Sequence, residues 1–199
     1  MNAKASNGQK KKRFRVAIFG SARIEEGDSN WNLIYDLAKR IAEEGLDVVT
    51  GGGPGLMNAA SEGHNAGDTA NNAQSIGLQI ILPKRQRDAE HLDIKEEFSR
   101  FSERLDNFVE LANAVVIAPG GVGTMLEFLY IWQLLQVKMI RHIPIILLGK
   151  MWSDFVSWIK KWPLEAGLID QEDLDLLFLV DNNEDALVMI KRAYERFKK

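Results

Sequence analysis

The chain has no cysteine and only three histidines, His64, His91 and His142, far apart in sequence. The first absence excludes a disulfide scaffold, zinc sites built on thiolates and cysteine nucleophiles. The second argues against a histidine-rich metal centre, and the spacing of Asp88, Glu90 and Asp93 is not that of a calcium loop. No metal and no cofactor are therefore expected. No apolar run approaches the roughly 18 residues of a membrane helix. The basic start leads into RVAIFG, an apolar stretch too short for the core of a signal peptide. With the lack of cysteine, which fits a reducing compartment, these absences predict a cytoplasmic protein with no membrane partner.

What is present is an ordinary soluble mix, 46% hydrophobic and 27% charged over 199 residues, enough for one self-supporting domain. The net charge of −3 is unevenly spread. Lys4, Lys10, Lys11, Lys12, Arg13 and Arg15 crowd the first 15 residues with no acid among them. Without those six, 19 of the 25 basic residues face 28 acidic ones, a net of −9. A negative body argues against nucleic acid as a partner of the fold. Residues 1–12 read as a disordered basic tail, and 13–199 as the domain.

Short apolar runs alternate with longer stretches of helical period. Strands are expected at Phe14–Gly20, Leu46–Thr50, Gly77–Pro83, Asn113–Ala118, Ile143–Gly149 and Leu176–Val180. Helices are expected over Asn30–Glu44, Leu56–Asn65, Phe98–Ala112, about 124–138, from Met151 toward Pro163, and Asn183–Lys199. Residues 84–96 read as a charged loop or lid. Strands separated by helices imply parallel crossovers, and strands written as apolar runs imply burial on both faces. The fold class is α/β: a single doubly wound, Rossmann-like parallel sheet with helices on both faces.

Three strands run into loops of small residues: Gly20-Ser21, Gly51–Gly55 and Pro119–Thr124. A strand, a glycine loop and a helix together present bare backbone N–H groups at a helix start, where phosphate is attracted. Three such loops on one rim point to a phosphorylated ligand. Gly51–Gly55 lacks the Lys-Ser or Lys-Thr of a Walker loop. Gly20-Ser21-Ala22-Arg23 lacks the dinucleotide fingerprint. A mononucleotide or sugar phosphate remains.

GGGPGLMNAA (51–60) together with PGGVGTMLE (119–127) resembles the LOG family. Its members are cytokinin-riboside monophosphate phosphoribohydrolases and related bacterial nucleotide nucleosidases, long labelled possible lysine decarboxylases. The family pattern is GGGxxGLM, then PGGxGTxxE, with an arginine on the preceding helix; Arg104 stands fifteen residues before Pro119. The resemblance covers roughly residues 14–180. It implies hydrolysis of a nucleoside 5′-monophosphate, AMP-like or a cytokinin precursor, to free base and ribose 5-phosphate. Arg104 and Glu127 would be catalytic. Gly20, Ser21, Gly51, Gly52, Gly53, Met57, Gly120, Gly121, Gly123 and Thr124 would bind substrate. Plant-like members carry Arg-Lys where this chain has Arg104-Leu105, and tyrosine where it has Val122, which bears on the cytokinin substrate more than on the chemistry. No pyridoxal-binding lysine is identifiable. The alternative is a non-catalytic carrier of a nucleotide or of molybdenum cofactor on the same fold.

Two features carry rival readings. Thr124-Met125-Leu126-Glu127 also fits a capping box, T-x-x-E. Arg104, like Arg100, could be a solvated helix residue. Lys84, Arg85 and Arg87 could meet a phosphate, but a charged surface loop is the expectation. The 125–140 segment, with Phe128, Trp132 and Leu135 among its apolar residues, is apolar nearly all round. A sheet covers only one face, so a homodimer or higher homo-oligomer is expected through this helix, with Trp132 as an anchor; the rival is cover by the C-terminal helices of the same chain.

Overall fold

A computed structural model describes residues 13–83 and 87–199; the expected tail at 1–12 lies outside them, as do Lys84 and Arg85. The elements in chain order are β1 (Arg15–Phe19), α1 (Ser29–Glu43), β2 (Asp47–Thr50), α2 (Leu56–Gly67), β3 (Ser75–Ile80) and β4 (Ile94–Phe98). They continue as α3 (Phe101–Leu111), β5 (Ala114–Ile117), α4 (Val122–Gln136), β6 (Ile145–Leu148), α5 (Met151–Ile159), α6 (Gln171–Leu174), β7 (Leu177–Val180) and α7 (Asn183–Phe197). Every strand pair is parallel, in the order β4-β3-β2-β1-β5-β6-β7. The chain winds outward from β1 to β4, returns to β5 and winds outward again. The reversal point between β1 and β5 is where such sheets open a crevice at the strands' carboxyl ends.

The continuous apolar runs conceal a period of two. Val16, Ile18, Val48, Val116 and Ile146 face a core closed by α1, α2 and α7. Ala17, Phe19, Val49, Val115 and Ile145 face one closed by α3, α4, α5 and α6. Alternate side chains point to opposite faces, and both faces are covered, so the expected doubly wound α/β sheet is the observed one. At the amino ends of the strands, buried Asp47 accepts hydrogen bonds from the Arg13 guanidinium and from the Gln74 N–H at 2.9 Å, with Arg15 Nε in an ion-pair contact at 3.5 Å. His64 is a core histidine whose Nε2 lies 3.1 Å from the Leu46 carbonyl; burial pushes its pKa down.

Strand β4 has no counterpart among the expected elements. Residues expected to be a lid and the start of a helix form an edge strand, Ile94–Phe98, paired with β3. Only Ile94 and Phe98 pack on the core, while Lys95, Glu96 and Glu97 are exposed. Charge on an outer strand suppresses edge-to-edge pairing and also erases the apolar run by which a strand is recognised. The short α6 has no counterpart either. The expected break at Pro163 is a π turn over Lys160–Leu164 that extends and ends α5.

Helix α4 corrects a second expectation. Phe128, Ile131, Trp132 and Leu135 are buried, but Val122 is 84% exposed and Leu126 and Leu129 are each 42% exposed. Trp132 is no interface anchor. The chain's own α5 and α6 cover it: its Nε1 donates to the Asp173 carbonyl at 2.8 Å, and Phe128, stacked on it, meets Trp152 and Phe155 edge-on. The face left open is the one bearing Leu126 and Leu129.

Candidate functional site

The glycine loops meet where β1, β2 and β5 end. Ser21 N–H donates to the Pro119 carbonyl at 3.0 Å, and Leu56 N–H donates to the Ser21 carbonyl at 2.9 Å. The first contact ties the loop after β1 to that after β5, and the second ties it to the start of α2. A side chain at Gly20 would collide with Leu56, at 2.8 Å. At Gly55, with φ +70°, a Cβ would lie 2.3 Å from the Ser21 carbonyl oxygen. Glycine is needed there both for its positive φ and for the close approach. The Ser21 hydroxyl accepts from the Arg23 N–H at 3.1 Å.

Arg104 reaches the rim from α3, and Glu127 from the second turn of α4. Their side chains are only 10% and 12% exposed, and Arg104 Nη2 is hydrogen-bonded to Glu127 Oε1. The guanidinium lies over the Phe108 ring, 5.3 Å from its centroid. Gly51 makes room for it: a Cβ there would be 3.1 Å from Arg104 Nη2 and 2.8 Å from Met57 Sδ. Arg104 Nε is buried without a hydrogen-bond partner. Burial pushes the Glu127 carboxyl up to about 7, with Arg104 pulling it back. Burial also lowers the Arg104 pKa, against the pull of Glu127. Withdrawal from water thus outweighs mutual attraction for both partners, which leaves a carboxyl that can change charge near neutrality.

The capping reading of Glu127 fails. Gly121 is the N-cap of α4 and the helix starts at Val122, so Thr124 is the third helical residue and Glu127 the sixth. Thr124 is buried against Gly120, where a Cβ would lie 2.1 Å from its Oγ1. A Cβ at Gly121 or Gly123 would meet nothing within 4 Å. The first N–H groups of α4 have no carbonyl one turn back to accept them, so this open helix start can receive an anion.

Beside these loops is a cavity of about 320 Å³, lined by Gly51, Gly52, Gly53, Met57, Arg104 and the unforeseen Gln79 and Glu97. Gln79 was legible as the polar residue inside the apolar run GLQIILP. Its Nε2 donates to the Gly52 carbonyl at 2.6 Å. Glu97 gave no signal because its strand gave none. Arg87 also lines this cavity, ion-paired with Glu90. A larger space of about 570 Å³ beyond the start of α2 is lined by Glu25, Glu26, Glu62, Asp88 and Glu90 together with Arg23, Arg87 and His91, so acids outnumber bases there. Among the described residues no three acidic or histidine side chains are grouped to share a metal, and no helix is long and apolar enough to cross a membrane.

A family model described as "possible lysine decarboxylase" matches residues 57–190. The chain belongs to the LOG family. This LOG-family chain is 29% identical over 181 residues to the probable cytokinin riboside 5′-monophosphate phosphoribohydrolase LOG4 of Oryza sativa subsp. japonica, covering 89% of this chain and 76% of that one. It is 29% identical to the cytokinin riboside 5′-monophosphate phosphoribohydrolase of Mycobacterium marinum, covering 74% and 78%. It is also 29% identical to the pyrimidine/purine nucleotide 5′-monophosphate nucleosidase of Escherichia coli K12, over 67% of this chain and only 30% of that longer one. Among solved structures, the molybdenum cofactor binding protein of Rippkaea orientalis superposes with a TM-score of 0.68 at 20% identity, covering 92% and 98%. The molybdenum cofactor carrier protein of Chlamydomonas reinhardtii gives 0.64 at 20%, covering 92% and 99%. These two share the LOG-family fold.

Proposed function

We propose that the chain is a cytoplasmic N-glycosyl hydrolase that splits a nucleoside 5′-monophosphate, AMP-like or a cytokinin riboside monophosphate, into free base and ribose 5-phosphate. The observation that carries this reading is the buried Arg104–Glu127 pair beside the Gly51 loop and the open start of α4. The phosphate rests on the N–H groups around Gly121 and Gly123, with Gly20, Ser21, Gly120 and Thr124 shaping that rim. The base enters the cavity beside Gly51, Gly52, Gly53 and Met57. As the bond from C1′ to the base nitrogen breaks, its electron pair leaves with the base, and positive charge builds on the ribose. The Glu127 carboxylate stabilises that charge and orients the water whose oxygen bonds to C1′. One proton of that water ends on the base. Arg104 holds the carboxylate in place and pulls its pKa part of the way back down, so that the ionised form is reached as pH rises through about 7. Three relatives named as phosphoribohydrolases or nucleosidases support the reading.

The test is release of ribose 5-phosphate from a panel of nucleoside monophosphates, by the wild type and by Glu127→Gln. Turnover of at least one by the wild type, and its loss in the variant, is expected. Tight binding of one without turnover would instead support the carrier alternative.

The exposed apolar face of α4 supports a homodimer through Val122, Leu126 and Leu129. Sedimentation that finds only a 22.4 kDa species at micromolar concentration would defeat it.

A further inference from the structure

At the opposite edge of the sheet, where β1, β5, β6 and β7 begin, lies a second cavity of about 300 Å³. Phe14, Pro144, Phe178 and Phe197 contribute apolar surface, while Arg141, His142, Arg192 and Arg196 bring polar nitrogen. None of its 12 lining residues is acidic, in a chain with 28 acids and a net charge of −3. Arg192 and Arg196 stand one turn apart on α7, a like-charge spacing that disfavours the helix unless an anion offsets it. Neither they nor Arg141 are ion-paired among the described residues. Arg141 gives Nη2 to the Ala112 carbonyl at 3.1 Å. Acids nearby are taken by lysines instead: Glu195 by Lys198 at 2.8 Å and Glu44 by Lys191 at 2.6 Å. Arg13, Arg40, Arg87 and Arg104, by contrast, all hold carboxylates.

We propose that this cavity is a second ligand site, distinct from the glycine-loop site, for a small aromatic anion bearing more than one phosphate. Three guanidinium forks suit phosphate oxygens, which they hold bidentately. Their combined charge exceeds what one phosphate monoester neutralises. The phenylalanine-lined floor suits a flat ring, and the volume is at the lower end of small-molecule sites, room for one ring system. The phosphates then lie outside, among the arginines. Strand β5 joins the two sites directly: Asn113, which precedes it, lines this cavity, and Pro119–Gly121, which follow it, form the other site's rim.

The experiment is calorimetric titration of the full chain with ATP, with pyrophosphate and with adenosine. Three proteins are compared: the wild type, the Arg192→Ser/Arg196→Ser double variant, and Gly123→Asp, which sets a carboxylate at the open start of α4. ATP should keep its binding to this cavity in Gly123→Asp, where the glycine-loop site is blocked, and should bind the cavity at least tenfold more weakly in the double variant. Adenosine and pyrophosphate should each bind more weakly than ATP, because the first lacks the phosphates and the second lacks the ring. ATP binding abolished by Gly123→Asp and unchanged in the double variant would overturn the proposal. So would pyrophosphate binding as tightly as ATP, since the apolar floor would then contribute nothing, or no ATP binding to the wild type. None of these outcomes depends on nucleosidase turnover, so this site and the proposed catalytic one succeed or fail separately.

Discussion

Glu127 holds its proton to about 7, whereas in an unfolded chain it would lose it near 4.5. Between those limits the folded state binds more protons than the unfolded one. The stabilising contribution is therefore full below 4.5 and is lost as pH rises through 7. Glu127→Gln has no such titration. Its urea midpoint should change less than that of the wild type between about pH 5 and about pH 8. An equal change in both proteins would show that Glu127 keeps its ordinary pKa. Under the proposed chemistry the carboxylate is the working form, so wild-type turnover should rise with pH through about 7. The variant should lose about 10²–10⁴ of that turnover. Arg104→Met removes the influence that lowers the Glu127 pKa, so any residual rate should rise only at higher pH. Gly51→Ala crowds Arg104 Nη2 and Met57 Sδ, side-chain atoms rather than backbone. It should lower turnover while leaving the thermal midpoint nearly unchanged.

At the scale of elements, α1 and α2 pack unusually closely because α2 carries Gly63 and Gly67 one turn apart. A Cβ at either would lie 2.1 Å from a backbone carbonyl of α1, Tyr35 or Lys39. Backbone cannot rotate aside as a side chain can, so Gly63→Ala must separate the helices. We expect a loss of about 3 kcal/mol, read as a fall in the denaturant midpoint. Because α2 begins at the Gly51–Gly55 loop, the same variant should weaken nucleotide binding. Unchanged stability would mean that the helices are farther apart than described. Helix α4 shows how an apolar pattern misleads: its sequence is apolar all round, yet α5 and α6 already cover Trp132.

At the scale of the whole molecule, the parallel sheet gives the protein two chemically different edges. At the carboxyl edge, glycine loops and a helix start gather N–H groups around one buried ion pair. At the amino edge, arginines ring an apolar pocket. Between them α4 leaves Leu126 and Leu129 exposed. If the chain pairs through this face, Leu129→Asp should convert a dimer into a 22.4 kDa species in sedimentation. Its secondary structure should be unaltered, because that side chain is 42% exposed in the single chain.

The sequence by itself determined the α/β class, six of the seven strands and the three glycine loops. Those follow from local rules: apolar runs buried on both faces, helical periods, and glycine where the backbone must turn or come close. It also picked out Arg104 and Glu127, through the spacing of a family pattern. Only the tertiary structure decided that these two meet, that Glu127 caps nothing, and that Gly51 is glycine because a guanidinium lies against it. Strand β4, with Glu97 on it, and the second cavity were likewise invisible. An edge strand is held by backbone hydrogen bonds to a neighbour distant in sequence and shows water its charges. A pocket whose residues come from the amino ends of four strands and the last turns of a helix has no local pattern to read. Burial sets the charge of Glu127, and burial exists only once the chain has folded around it.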